Sequence, residues 1–181
     1  MSLDGNSPGD TNLVLIGPMG SGKSSIAREI ARATGRRWVD TDQLVIRQDG
    51  RSIAEIFAAQ GEAHFRELET AALRSQAYND RLIVATGGGI VTRPENITLL
   101  RELGHVIWLT AREDVLFERV SRNRRRPLLH TADPRATLRD LLARRHALYE
   151  GCAHLTVDTS DDPHARVAAT ILERLAFLPV P

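Results

Sequence analysis

A chain of 181 residues that is 42% hydrophobic can bury one substantial core but is short for two full domains. Its 24 basic and 23 acidic residues leave a net charge of +1, so no global field marks a nucleic-acid or membrane partner, and any basic site has to be local. The lone Cys152 excludes an internal disulfide and fits a reduced, cytoplasmic setting in which the thiol is buried and inert.

Residues 1–11 are polar, rich in Gly and Ser, and lack the charged-then-apolar layout of a signal peptide, so they read as a disordered leader. No segment approaches the ~20 consecutive apolar residues of a membrane span. The chain then organises itself around residues 13–30. An apolar run is followed by a glycine-rich turn and by Ile26, Ala27 and Ile30 at helical spacing, which predicts strand, loop and helix. Residues 17–24 match G-x-x-x-x-G-K-[ST], the phosphate-binding loop.

That pattern has a physical reading. Glycines let the backbone curl with its N–H groups inward, and the following helix presents unsatisfied amides and a positive dipole end to the same point. Gly20, Ser21, Gly22, Lys23, Ser24 and Ser25 are therefore the candidate triphosphate contacts, with the Lys23 ammonium on the outer phosphates and the Ser24 hydroxyl on Mg²⁺. Of the 24 basic residues Lys23 is the one lysine; the rest are arginine. A compact ammonium seated in a ring of backbone groups is a task the planar guanidinium performs poorly.

The first helix should end near Thr34-Gly35, and residues 37–42 read as a second strand ending in two acids. Residues 43–78 are helical, broken at Asp49-Gly50 and Gly61, with a Ser52/Glu55 capping box. Residues 81–86 form a buried strand that runs into Gly87-Gly88-Gly89. A helix over 94–103 is closed by Gly104, and 106–109 is another strand. From Glu113 a helix leads to the charged, proline-bounded run 122–127; helix resumes over 134–149, a last strand spans 155–158, a last helix 163–175, and 178–181 fray. Five short strands separated by helices imply a parallel sheet covered on both faces, with its ligand beyond the carboxyl ends. The phosphate loop, Asp40 with Asp42, and the triple glycine each follow a strand directly, and so share one rim.

Asp40 and Asp42, if still extended, point to opposite sides and serve different partners, one the metal through water and the other an acceptor hydroxyl; a turn or a helix N-cap at Asp42 is the structural alternative. Arg66 and Glu69, taken alone, read as a surface ion pair on one helix face. The arginine run 122–126 lacks aromatic neighbours and suits a mobile lid, about 121–133, that carries charge to a polyphosphate, rather than a nucleic-acid patch. Arg144-Arg145, taken alone, complement a helix dipole, and the six histidines show no zinc spacing and read as structural or exposed.

Taken in order, residues 17–24, Asp40-Thr41-Asp42, residues 52–57 with Gly61-Glu62 and Phe65-Arg66-x-x-Glu69, the triple glycine, Arg126-Pro127-Leu128-Leu129 and Arg145-x-x-x-Tyr149 resemble shikimate kinase over roughly residues 12–175. The resemblance implies an α/β fold of the nucleoside-monophosphate-kinase type, a P-loop protein with a five-stranded parallel sheet and a lid, in a domain spanning 12–177. It implies transfer of the γ-phosphoryl of ATP to the 3-hydroxyl of shikimate, with Mg²⁺, in aromatic amino-acid biosynthesis. By the same resemblance Lys23, Asp42 and Arg126 carry catalysis, and Asp42 binds the acceptor hydroxyl. Arg66 and Arg145 clamp the shikimate carboxylate, and Gly88 and Gly89 meet the ring. Asp40 with Ser24 serves the metal, Arg126 reaches the ATP phosphates, Arg119 lies near adenine, and the loop 159–163 closes over it. The expected molecule is a monomer. Kinases of gluconate or of nucleoside monophosphates, and a nucleotide-binding regulatory module without turnover, are the rival readings.

Overall fold

The computed structural model describes residues 11–122, 131 and 133–179; Arg126, most of the expected lid and all but Thr11 of the expected leader lie outside them. Five strands, β1 (Asn12–Ile16), β2 (Arg37–Asp40), β3 (Leu82–Ala85), β4 (Gly104–Thr110) and β5 (Leu155–Asp158), form one all-parallel sheet in the order β2-β3-β1-β4-β5. Central β1 is buried along its whole length, as its unbroken apolar run requires.

Period-2 alternation divides that strand between two cores. Leu13 and Leu15 face Ile26 and Ile30 of α1 (Lys23–Thr34) and Val167 and Ile171 of α7 (His164–Leu175). Val14 and Ile16 face the opposite layer, with Leu73 of α3 (Ile53–Arg74), Leu100 of α4 (Pro94–Leu103) and Tyr149 of α6 (Pro134–Cys152). The remaining helices are α2 (Thr41–Asp49) and α5 (Glu113–Ser121). Among the described residues no helix is long and apolar enough to cross a membrane.

Helix boundaries follow the expected signals, with instructive exceptions. Gly35 ends α1 at φ 69°, and the Ser52/Glu55 capping box opens α3, which is kinked at Gly61. The expectation that extended chain persists through Asp42 is corrected: β2 stops at Asp40. Asp40 then caps α2, its Oδ1 accepting from the N–H of Asp42 at 3.0 Å and of Gln43 at 3.4 Å. Asp42 therefore lies in a first helical turn, not at a strand end or in the cap. Gly104, expected only to stop α4, is also the first residue of β4; a Cβ there would strike the Asn12 carbonyl of β1. Cys152 is fully buried, and burial pushes its thiol up to about 11, which keeps it protonated and inert.

Candidate active site

Register brings the three unusual loops together. Ile16 pairs with Trp108 and Asp40 with Ala85, so the glycine loop after β1, the acids after β2 and the triple glycine after β3 leave the sheet at one edge. They border an open cleft of about 600 Å³ lined by Met19, Gly20, Gly22, Lys23, Ser24, Ser25, Asp40, Asp42, Thr86, Gly87, Gly88 and Arg119, with Arg122 and Asp162 to His164 completing its wall.

Lys23, 8% exposed, donates from Nζ to the carbonyls of Gly17 at 2.8 Å and Pro18 at 2.7 Å, drawing the ammonium across the mouth of the glycine loop. Ser21 is buried behind the loop, its Oγ donating to the Pro18 carbonyl at 2.9 Å. Ser24 Oγ donates to Asp40 Oδ2 at 2.5 Å, which sets a hydroxyl and a carboxylate side by side at the start of α1. Two hard oxygen donors so placed fit a small divalent cation that keeps most of its water shell.

Arg119 does not stand free beside a ligand space. Its guanidinium donates to the Gly20 carbonyl at 3.3 Å, to Thr159 Oγ1 at 3.1 Å and to the Thr159 carbonyl at 2.6 Å, tying the glycine loop to the segment before α7. His164 also enters this wall: a Cβ on Gly22 would lie 3.0 Å from its Nε2. His164 is exposed, in keeping with the reading of the histidines, and its additional place in the cleft wall had as its available signal the position directly after Pro163 at a helix start.

Arg66, Gly89 and Arg145 do not line the cleft; the two arginines pack against the triple glycine, of which Gly89 is the last residue. A Cβ on Gly89 would fall inside the Arg66 guanidinium, and Arg145 Nη1 donates to the Gly88 carbonyl at 3.1 Å. Gly87 has no more room, since a Cβ there would overlap Glu69 Oε1 and sit 2.7 Å from Asp42 Oδ1. Glycine is required at both positions for close approach, with no positive φ involved.

The Arg66–Glu69 pair is not at the surface. Glu69 is 0% exposed, its Oε2 accepts from Arg66 Nη1 at 2.5 Å, and its Oε1 has no hydrogen-bond partner among the described residues. Glu62 holds the other edge of the same guanidinium, its Oε1 2.6 Å from Nη2. Burial pushes the Glu69 carboxyl from 4.5 up to about 7, against the pull of Arg66, and the nearby charge of Asp42 adds to the rise.

The folded chain holds the Glu69 proton more tightly than the unfolded chain, so the stabilisation is complete below about pH 4.5 and is lost as pH rises through about 7. At ~1.4 kcal/mol per pH unit the loss is roughly 3 kcal/mol. Glu69→Gln cannot ionise, so its melting temperature relative to the parent should rise between about pH 4.5 and 7 and level off above that; a constant difference would contradict the buried titration.

Comparison with known proteins bears on this geometry. The family described as Shikimate kinase matches residues 19–176. The shikimate kinase of Bordetella pertussis is 45% identical over 168 residues, 93% of this chain and 80% of that protein. That of Symbiobacterium thermophilum is 44% identical, over 91% of this chain and 95% of its own length. The solved structure of a shikimate kinase from Acinetobacter baumannii in complex with shikimate superposes with a TM-score of 0.89 at 36% identity, covering 92% of this chain and 93% of that one. A family match over residues 19–176, with relatives at this identity and coverage, means that this chain belongs to the shikimate kinase family.

Proposed function

We propose that this protein transfers the γ-phosphoryl group of ATP to the 3-hydroxyl of shikimate, giving shikimate 3-phosphate and ADP. The observation that carries this reading is the convergence, on one rim of the sheet, of the glycine loop with Asp42 and a triple glycine backed by two buried arginines. One half suits a polyphosphate; the other suits a small hydroxylated carboxylate.

In this reading Gly20 to Ser25 cradle the triphosphate through loop amides and the start of α1, and Lys23 neutralises charge on the transferring group. Ser24 and Asp40 would hold Mg²⁺, whose charge offsets that of the β- and γ-phosphates. Asp42 accepts the hydrogen bond of the acceptor hydroxyl and takes its proton as the new P–O bond forms. Arg66 and Arg145 present planar forks to the shikimate carboxylate, each 8% exposed and so largely shielded from competing water. Arg119 keeps the 159–163 segment against the glycine loop, where adenine would lie. Arg126 is assigned the lid contact to the phosphates by its place before Pro127-Leu128-Leu129. Positioning and charge neutralisation then supply most of the rate, as phosphoryl transfer requires little covalent assistance. The same reading includes a monomeric, cytoplasmic enzyme whose domain spans 12–177.

An ADP-release assay with shikimate, gluconate and nucleoside monophosphates as alternative acceptors tests the assignment. Turnover should require shikimate. Turnover with gluconate and none with shikimate would overturn it, because two buried arginines would then have no carboxylate-bearing ring to hold.

A further inference from the structure

Three consecutive glycines form a seat with almost no side-chain constraint, so the orientation of each peptide in it has to be imposed from elsewhere. Two of the three carbonyls are secured locally. The Gly87 carbonyl accepts from Ile90 N–H at 3.2 Å, and the Gly89 carbonyl accepts from Thr92 N–H at 3.0 Å and Thr92 Oγ1 at 2.7 Å. The Gly88 carbonyl is instead reached from α6, where Arg145 Nη1 donates at 3.1 Å and the Tyr149 hydroxyl donates as well. Arg145 and Tyr149 are four residues apart and share one helix face.

We propose that Tyr149 is a positioning residue for the acceptor site: its hydroxyl, by holding the Gly88 carbonyl, fixes the Gly88–Gly89 peptide on which the acceptor rests. The inference rests on the function proposed above.

The two donors to Gly88 are not equivalent. An arginine that clamps a carboxylate has to redirect its N–H groups toward it when substrate arrives, and its bond to the Gly88 carbonyl is then weakened. Tyr149 has no such second task. It is 1% exposed, and its ring stacks on Trp108 of β4 with centroids 5.8 Å apart and planes 21° from parallel, so the sheet itself aims the hydroxyl. Burial pushes that hydroxyl up to about 12, which keeps it a donor throughout the working pH range. Because the peptide is planar and trans, holding the Gly88 carbonyl on the α6 side directs the Gly89 N–H to the opposite side. It also keeps Gly89 against the Arg66 guanidinium, where a Cβ would not fit. Seat and carboxylate clamp are thus both tied to the bond between Tyr149 and the Gly88 carbonyl.

Tyr149→Phe deletes the hydroxyl and keeps the ring that packs on Trp108. The shikimate KM is expected to rise about tenfold while the ATP KM stays within twofold. A rise in shikimate KM below threefold, or an equal rise in both KM values, would overturn the proposal, whatever happens to the melting temperature. A parent enzyme that fails to phosphorylate shikimate would instead overturn the functional reading, so the two failures are distinguishable. Should the variant not fold, uniform 3-fluorotyrosine labelling of the parent provides the measurement. The chain has two tyrosines, and Tyr78 is 97% exposed, so the buried ¹⁹F resonance belongs to Tyr149. Saturating shikimate should shift that resonance and ADP alone should not; no shift with shikimate would overturn the proposal.

Discussion

Lys23→Ala is expected to lower kcat about a thousandfold while leaving the fold intact by circular dichroism. Lys23 Nζ lies 2.8 Å from the Gly17 carbonyl and 2.7 Å from the Pro18 carbonyl, so the cation is already aimed along the loop before any phosphate arrives. In the role proposed above, this preorganised and largely buried charge does not have to reorganise as negative charge moves onto the leaving oxygen, and it would stabilise the transition state more than the ground state. The ATP KM should therefore change less than kcat does. Lys23→Arg should rescue little, because two carbonyl contacts below 3 Å describe a seat for a point-like ammonium, and a fork cannot enter it without opening the loop. A coupled ADP-release assay at saturating shikimate measures both variants. A loss below tenfold for Lys23→Ala would remove the lysine from the chemistry and leave it a structural clip for the loop.

The parts of this site legible in the sequence are those whose backbone constraint leaves a residue-level mark. Glycines and one lysine at fixed spacing announce the phosphate cradle, and the alternation of apolar runs with helical spacing announces the parallel sheet that aligns the loops. Less legible was anything decided by which way a helix faces. Arg66 and Glu69 three residues apart look the same on a wet face or a buried one; what buries them is a loop from a different strand, Gly87 to Gly89, packed over their tips. That the helix cap falls on Asp40 and not on Asp42 has a similar cause. Either aspartate can cap a helix, and the choice depends on β2 ending at Asp40, where pairing with β3 ends at Ala85. Tyr149 belonged to a recognisable motif but carried no role there, because its meaning lies in one hydrogen bond to a carbonyl 61 positions away.

The same packing makes Gly89→Ala the most discriminating single substitution in the acceptor half, with an expected rise of at least thirtyfold in shikimate KM. Gly89 has φ −99° and ψ 1°, a conformation open to alanine, so the backbone itself should not object. The new methyl group would instead occupy the space of Arg66 Cζ and both terminal nitrogens. Arg66 cannot swing aside cheaply. It is held on one edge by Glu69 at 2.5 Å and on the other by Glu62 at 2.6 Å, and moving it would leave the buried Glu69 carboxyl without its hydrogen-bond partner, a penalty on the order of 1–3 kcal/mol. The variant must therefore either displace the guanidinium or shift the triple-glycine loop, and each outcome spoils the seat for a carboxylate while leaving the glycine loop and α1 unaltered. ATP affinity, measured calorimetrically without shikimate, should stay within twofold of the parent. Gly88→Ala provides the contrast, since its Cβ would meet the Met19 amide at 3.3 Å and so press on the nucleotide half instead. If Gly89→Ala left the shikimate KM within threefold of the parent, Arg66 could not be part of the carboxylate clamp, and Arg145 would have to hold the substrate alone.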